Sequence, residues 1–208
     1  MRQPVTGHLY VIAAPSGAGK TSLVKALLLQ EPSVQLSTSY TTRKMRPTEV
    51  DGRDYHFVSH TAFAAMVAAG AFLEHAQVFD NYYGTARAQV EQLLAQGANV
   101  ILEIDWQGAQ QIRRVLPDCR SVFILPPSRS ELERRLRSRN TDEESVIQRR
   151  LADASGDMSH WVEFDYVVIN ADFAQALTQL RSIVLGQGAA FVTSRPGLPA
   201  IIATIMSS

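Results

Sequence analysis

A short stretch near the start of the chain has the residue types needed to bind a polyphosphate. An apolar run, residues 9–13, is followed by the segment APSGAGKT, residues 14–21. Glycines let backbone N–H groups converge on an anion, and a helix beginning after them adds the positive end of its dipole. Lys20 can reach the β- and γ-phosphates, and the Thr21 hydroxyl can face Mg²⁺. The segment therefore predicts a nucleoside triphosphate site made of Ala14, Pro15, Ser16, Gly17, Ala18, Gly19, Lys20 and Thr21.

This segment departs from the pattern G-x-x-x-x-G-K-[ST] at one position, because Ala14 stands where the first glycine belongs. Alanine is acceptable there if its φ angle is negative. The alternative interpretation is an ordinary glycine-rich turn between a strand and a helix. The apolar run before the segment and the helical pattern after it favour the phosphate site.

Composition limits the classes of protein that the chain can belong to. Its 208 residues, 46% of them hydrophobic, can bury the core of one α/β domain with small insertions. The 20 basic and 20 acidic side chains cancel, which does not favour nucleic acid or a membrane surface as a partner. No apolar run is long enough to span a bilayer, and the N-terminus lacks a signal-peptide pattern. With Cys119 as the only cysteine, we expect a cytoplasmic location; the sequence indicates no oligomeric state.

Predicted strands alternate with predicted helices along most of the chain. This order predicts a parallel sheet covered by helices, with ligands at the carboxyl ends of the strands. The predicted strands are residues 9–13, 55–58, 100–105, 121–125 and 166–169. Residues 34–39 look extended, and residues 72–79 mix apolar and polar side chains before a turn-like Asp80-Asn81. The predicted helices are residues 21–29, 61–70 with Thr61 as N-cap, 86–96, 130–139, 143–158 and 173–185. Two inserts, near 39–85 and 130–155, interrupt the alternation, and the tail after Gly186 is expected to be loosely held.

A second candidate phosphate site lies in the first insert. Two arginines three residues apart, Arg43 and Arg46, stand among hydroxyl side chains in the segment 39–47, which suits a dianionic phosphate. Taken alone, this segment is better interpreted as a solvated charged loop.

The carboxylate of Glu74 changes that interpretation, because it lies within the apolar stretch Phe72-Leu73-Glu74. A buried carboxylate needs hydrogen-bond partners. Guanine offers two adjacent donors, N1–H and the 2-amino group, whereas adenine would present a lone pair on the same edge.

Together these segments resemble the guanylate kinase family in order and spacing, over roughly residues 7–187. The segments that carry the resemblance are the phosphate loop, residues 39–47, 52–55, 72–74, 81–85 (NYYGT), 103–108 (EIDWQG) and 125–128 (LPPS). The resemblance implies a three-layer P-loop α/β core with a GMP-binding insert and a helical lid. The implied bounds are 7–38, 86–128 and 156–187 for the core, 39–85 for the insert, 129–155 for the lid and 188–208 for the tail.

The resemblance also implies roles for individual residues. The GMP phosphate would be bound by Arg43, Arg46, Tyr55 and Tyr83. The guanine would be read by Ser39, Glu74 and Thr85, with Asp105 nearby. The lid residues Arg135, Arg139 and Arg150 would act over the triphosphate.

Two positions depart from the family pattern. Glu103 stands where aspartate is common in the family. Glu103 and Asp105 are two residues apart on a predicted strand, so their side chains would point the same way. Glu103 would therefore still offer a carboxylate to Mg²⁺ or Lys20. Ala171 replaces a polar residue next to Asn170, so Asn170 alone would contact the adenine.

The lid arginines have a rival interpretation as members of a solvated helix. They could pair with Glu131, Glu133, Glu143 and Glu144. We favour this pairing for Arg134, Arg137 and Arg149. Arg135 and Arg139 are four apart and share a helix face, which suits a joint role over the triphosphate.

The implied reaction is transfer of the γ-phosphoryl group of ATP, bound with Mg²⁺, to GMP. It needs no general base, because the acceptor phosphate is already largely ionised at neutral pH. Two alternatives are a guanylate-kinase-like interaction module without activity and a P-loop protein of another kind. A GTPase would need an Asn-Lys-x-Asp element, which the sequence lacks, and a sugar-phosphate kinase would have no use for Glu74.

Overall fold

The computed structural model describes residues 7–78, 80–138 and 144–207, except for the side chain of Ser155. Contacts between Cα atoms divide the chain into two compact units. Within the described residues, the first unit contains residues 7–11 and 31–120, and the second contains residues 12–30 and 121–207. The division into core, insert, lid and tail stays a prediction.

Nine strands and eight α-helices make up the described chain. The strands are β1 (Leu9–Ala13), β2 (Val34–Leu36), β3 (Tyr40–Thr41), β4 (His56–Phe57), β5 (Phe72–Val78), β6 (Asn81–Ala86), β7 (Asn99–Glu103), β8 (Arg120–Leu125) and β9 (Tyr166–Ile169). The helices are α1 (Lys20–Gln30), α2 (His60–Ala68), α3 (Arg87–Ala95), α4 (Trp106–Val115), α5 (Arg129–Ser138), α6 (Glu144–Ser159), α7 (Phe173–Val184) and α8 (Leu198–Ser207). Short 3-10 helices lie at His160–Glu163 and Gly188–Phe191.

The larger sheet has five strands in the order β2-β7-β1-β8-β9. The pairs β2–β7 and β8–β9 are parallel. All five residues of β1 are buried, as expected for a strand that is covered on both faces. The predicted α/β fold with a parallel sheet is confirmed.

The smaller sheet lies in the first unit and was not predicted from the sequence as a sheet. Its order is β4-β3-β6-β5, with β3–β4 parallel and the other pairs antiparallel. The β5–β6 register shifts between Phe72 and Glu74, and three consecutive residues there, Phe72, Leu73 and Glu74, are buried. A bulge of this kind breaks the usual alternation of side chains, and it re-aims the residues beside it.

Two predicted boundaries were wrong because short polar side chains cap helices at other positions. The N-cap of α2 is Ser59, whose Oγ accepts a hydrogen bond from the Ala62 N–H at 3.1 Å, and not Thr61. The predicted strand 100–105 ends at Glu103, because Asp105 is the N-cap of α4, a helix that was not predicted.

The expectation of a loosely held tail was also wrong. Residues 198–207 form α8, which contacts α5. Leu198, Ile202 and Ile205 are buried, and their spacing of four and then three residues marks one helix face. In the described part of the chain, no helix has the length and apolar character needed to cross a membrane.

Neighbouring isoleucines on α8 allow a matched test of this packing. Ile202 is 1% exposed and Ile201 is 49% exposed. Ile202→Ala should lower the free energy of unfolding by about 2–5 kcal/mol, because it leaves a cavity. Ile201→Ala should change it by less than about 0.5 kcal/mol. Urea unfolding followed by circular dichroism measures both, and equal effects of the two substitutions would show that α8 is not packed as described.

Candidate active site

The phosphate loop joins β1 to α1 in the second unit. The Ala18 N–H donates to the Pro15 carbonyl at 3.2 Å, which closes a tight turn, and α1 begins at Lys20. Gly17 and Gly19 have φ angles of 93° and 97°, a region that strains any residue with a Cβ atom. Both glycines therefore occupy backbone conformations that other residues rarely adopt, and the anion site itself stays a prediction.

Asn170 and Arg135 fix this loop from the same unit. Asn170 follows β9, is 3% exposed, and donates from Nδ2 to the Ala18 carbonyl at 2.8 Å. Arg135 donates from Nη1 to the Ala18 carbonyl at 3.3 Å and from Nη2 to the Asn170 carbonyl at 3.0 Å. A Cβ atom on Gly19 would clash with the Asn170 amide nitrogen. In this structure Asn170 holds the loop, and its contact with adenine stays a prediction.

The arginines of α5 divide only in part as the sequence suggested. Arg134 pairs with Glu131 at 2.6 Å, and Arg137 pairs with Glu133 at 2.8 Å and Glu144 at 2.6 Å, so the solvated-pair interpretation is confirmed for these two. Arg135 also pairs with Glu131, at 2.7 Å.

Hydrogen bonds from Arg134 and Arg135 lower the Glu131 pKa to about 2, so this carboxylate stays charged at neutral pH. Arg150 lies on α6, and its catalytic role stays a prediction. Arg139, the predicted turn 140–142 and Glu143 lie outside the described residues.

The predicted acceptor residues meet in the first unit around a carboxylate that the sequence did not single out. Arg43 donates to both oxygens of Glu49, from Nη1 at 3.1 Å and from Nη2 at 2.8 Å. The Arg46 N–H donates to Glu49 Oε2 at 2.8 Å. Burial alone would raise the Glu49 pKa, but these hydrogen bonds lower it below its usual value. We call Arg43, Arg46, Glu49, Tyr55 and Tyr83 the acceptor cluster.

Aromatic rings complete the acceptor cluster. The Arg43 guanidinium lies 5.4 Å from the Tyr55 ring centroid and 5.7 Å from that of Phe57. The Tyr55 and Tyr83 rings meet edge to face at 6.0 Å. Burial, followed by repulsion from Glu103 and Tyr83, raises the Tyr55 pKa. The Tyr55 hydroxyl therefore keeps its proton well above neutral pH and remains a hydrogen-bond donor.

Glu74 is a buried carboxylate, 3% exposed, on the smaller sheet. The β5–β6 register places Thr85 directly opposite, and the Thr85 hydroxyl donates to Glu74 Oε1 at 2.6 Å. The other oxygen, Oε2, faces the first turn of α4, where a Cβ atom on Gly108 would lie only 2.6 Å away. The Gly108 N–H donates to Asp105 Oδ1 at 2.7 Å. The positive end of the α4 dipole therefore lies beside this buried carboxyl group.

The remaining predicted residues divide between the units. Ser39 is buried next to β3 in the first unit, and Glu103 ends β7 there, close enough for its charge to act on Tyr55. Lys20 and Thr21 form the start of α1 in the second unit. Each unit thus contains one set of the predicted phosphate-binding residues.

Sequence reasoning missed Glu49 as part of the acceptor cluster and the reason for Gly108. It considered Glu131 as a partner of the lid arginines but did not favour that pairing for Arg135. A signal existed for Glu49, because an acid three residues after Arg46 and six after Arg43 can fold back on both. No comparable signal marks Gly108, because its contact with Glu74 depends on the bulge in β5.

A buried parallel strand, a glycine-rich loop and a helix that opens with Lys-Thr define the class of P-loop nucleotide-binding proteins. The guanylate kinase family model matches residues 6–187. A guanylate kinase from Methylococcus capsulatus is 56% identical over 200 residues, covering 96% of this chain and 98% of that protein. A guanylate kinase from Escherichia coli K12 is 56% identical over 180 residues, covering 86% of this chain and 87% of that protein. The crystal structure of guanylate kinase from Anaplasma phagocytophilum superposes with a TM-score of 0.74 at 30% identity, covering 95% of this chain and 94% of that chain.

The chain belongs to the guanylate kinase family. Its reaction is the ATP-dependent phosphorylation of GMP to GDP, which makes it a phosphotransferase. The resemblance identified from the sequence is confirmed.

The bond from Asn170 to the phosphate loop gives a prediction about ATP. Asn170→Asp replaces the amide donor with an oxygen that repels the Ala18 carbonyl, so the loop should lose its fixed geometry. We expect the KM for ATP to rise roughly tenfold while the KM for GMP stays within twofold. The control is Asn99→Asp, because Asn99 uses only its Oδ1 as an acceptor, from the His8 N–H at 3.1 Å. Equal KM changes for both nucleotides in Asn170→Asp would contradict this role.

Proposed function

We propose that the two sets of residues divide the reaction between them. The phosphate loop and its neighbours in the second unit bind ATP, and the acceptor cluster with the Glu74 region in the first unit binds GMP. The observation that carries this proposal is the pair of buried polar arrangements already described: a glycine loop fixed by Asn170, and a buried Glu74 fixed by Thr85.

On the donor side, the N–H groups of residues 14–21 and the α1 N-terminus bind the phosphates of ATP. This arrangement suits an anion because the dipoles are already oriented before the nucleotide arrives. Lys20 neutralises charge on the β- and γ-phosphates. Arg135, Arg139 and Arg150 are proposed to act on the transferring phosphoryl group, and Asn170 to contact the adenine.

We also propose that Mg²⁺ accompanies ATP. The Thr21 hydroxyl would be an oxygen donor of the type that Mg²⁺ prefers, and the resemblance also implies the Glu103 carboxylate, partly through water. Among the described residues, no group of three or more His, Cys, Asp or Glu side chains is arranged to hold a metal. Phosphate oxygens and water would supply the other ligands, and the bound ion would neutralise phosphate charge.

On the acceptor side, Arg43, Arg46, Tyr55 and Tyr83 bind the GMP phosphate. A guanidinium fork matches phosphate oxygens, and a protonated phenol adds a neutral donor. These side chains align one phosphate oxygen for attack on the γ-phosphorus of ATP. A new P–O bond forms to GMP, the bond to ADP breaks, and the electron pair leaves with the ADP β-phosphate oxygen.

Guanine selection is assigned to Glu74, with Ser39, Thr85 and Asp105 around it. A carboxylate accepts hydrogen bonds from guanine N1–H and the 2-amino group together. Thr85 and the α4 N-terminus hold the carboxylate in one orientation, so it needs no rearrangement when GMP binds. Adenine would place a lone pair against the same oxygens and would be rejected.

The cellular setting belongs to the proposal as well. We propose that the chain works in the cytoplasm on small-molecule substrates, without nucleic acid or a membrane as partner. The balanced charge of 20 basic and 20 acidic side chains supports this proposal.

Substituting Glu74 tests the assignment of guanine selection. Glu74→Gln replaces one acceptor oxygen with an NH₂ group that opposes a guanine donor. The KM for GMP should rise roughly tenfold or more, while the KM for ATP stays within twofold. Discrimination between GMP and inosine monophosphate, which lacks the 2-amino group, should also shrink. Coupled ADP-release assays measure these values.

The control for this test is Glu91→Gln, which changes an exposed carboxylate in the same unit. If Glu74→Gln raises both KM values equally, or leaves the preference for GMP over inosine monophosphate intact, Glu74 does not read the base.

Lys20 provides the corresponding test on the donor side. Lys20→Met should lower kcat roughly 100- to 1000-fold, because it removes a charge that stabilises the transition state. Lys25→Met, on the same helix, should leave kcat within twofold. Thermal unfolding checks that both variants fold. Near-normal turnover by Lys20→Met would refute the proposed role of Lys20. A parent chain without kinase activity would favour the alternative of a guanylate-kinase-like interaction module.

A further inference from the structure

Glu49 lies between two arginines of the proposed acceptor cluster and closes the loop that carries them. Its N–H donates to the Arg46 carbonyl at 3.0 Å, and its Oε2 accepts from the Arg46 N–H at 2.8 Å. These reciprocal bonds form a compact turn. The carboxylate is therefore tied to the backbone, independently of its pairing with Arg43.

The pairing with Arg43 has the geometry of a specific interaction. Both carboxylate oxygens accept from separate guanidinium nitrogens, at 3.1 and 2.8 Å, in a parallel fork. The side chains of Arg43 and Glu49 are only 16% and 13% exposed. In contrast, the Arg87–Glu91 pair of the same unit spans 3.7 Å with side chains 45% and 62% exposed, a type worth little energy.

The rest of the surroundings hold Arg43 in one orientation. Arg43 Nη1 also donates to the Lys44 carbonyl at 2.7 Å, and the guanidinium lies near the rings of Tyr55 and Phe57. Glu49 and Lys44 together accept three of its hydrogen bonds. Without the carboxylate, this guanidinium would lose the fork that sets its plane.

The other acids of the loop have different partners. Asp54 accepts from Arg53 at 2.6 Å, and Asp51 Oδ1 accepts from the Phe57 N–H at 2.9 Å. The Arg46 Nη1 atom lies 3.9 Å from Glu49 Oε1, and the Arg46 side chain is 39% exposed. Glu49 therefore fixes the side chain of one arginine and the backbone of the other.

We propose that Glu49 is a positioning residue of the acceptor site, which holds the Arg43 guanidinium and the Arg46 backbone in the orientation that receives the GMP phosphate. The inference rests on the proposed function, because it takes Arg43 and Arg46 to be phosphate ligands. A different role, in which Glu49 occupies the site as a competing anion, would require the carboxylate to leave when GMP binds. Leaving would break the two bonds to Arg43 and the bond to the Arg46 N–H.

The two roles predict opposite results for Glu49→Gln, which keeps the size of the side chain and removes its charge. If Glu49 is a positioning residue, Glu49→Gln should raise the KM for GMP roughly tenfold and leave the KM for ATP within twofold. If Glu49 is a competing anion, Glu49→Gln should lower the KM for GMP. Glu49→Asp, which keeps the charge on a shorter side chain, should fall between the parent and Glu49→Gln. Glu91→Gln is the matched control and should change neither KM.

A double-mutant cycle shows whether Glu49 acts through Arg43. Arg43→Ala alone should raise the KM for GMP. Adding Glu49→Gln to it should change that KM by less than twofold, because the amide oxygen can still accept from the Arg46 N–H. An unchanged KM for Arg43→Ala would overturn the proposed function itself. A raised KM for Arg43→Ala with an unchanged or lowered KM for Glu49→Gln would overturn only the inference.

Thermal unfolding is measured for every variant, and a fall in Tm without a change in KM would assign Glu49 a structural role alone. If Glu49→Gln does not fold, Glu49→Asp decides by the same KM comparison.

Discussion

The buried carboxylate of Glu74 is the constraint around which the first unit is arranged. A carboxyl group that is 3% exposed is tolerated only with hydrogen bonds and favourable dipoles close to it. Thr85 supplies a hydroxyl from the facing strand, and α4 brings its N-terminus to the other oxygen. Gly108 leaves the space that a Cβ atom would fill. These features together hold the carboxyl group in the position that the proposed function assigns to guanine recognition.

In the proposed function, the two phosphate-binding sets achieve the same end by different chemistry. The loop of the second unit relies on main-chain N–H groups, so its specificity lies in the φ angles of Gly17 and Gly19 and in the amide of Asn170. The acceptor cluster relies on side chains, which lose conformational entropy when they are ordered. Glu49 reduces that cost by ordering Arg43 before the nucleotide binds. Each set is thus pre-organised within its own unit.

Much of the fold and part of the site followed from local patterns. The order of strands and helices and the phosphate loop were predictable, because each depends on short-range periodicity or on glycine and lysine at fixed spacing. The smaller sheet and its bulge at Phe72–Glu74 were not, because a register shift depends on pairing with a distant strand. Asp105 was placed on a strand because its capping role requires knowing that a helix follows. The α8 helix was missed although the spacing of Leu198 and Ile202 carried its signal.

Backbone amide NMR with one nucleotide at a time tests the central claim that the Glu74 region of the first unit selects and binds GMP. Added alone, GMP should shift residues 39–49 and 74–85 most, and AMP at the same concentration should leave the signals of Glu74 and Thr85 unchanged. The account would be contradicted if GMP shifted residues 14–21 and Asn170 most, or if AMP and GMP shifted Glu74 and Thr85 equally.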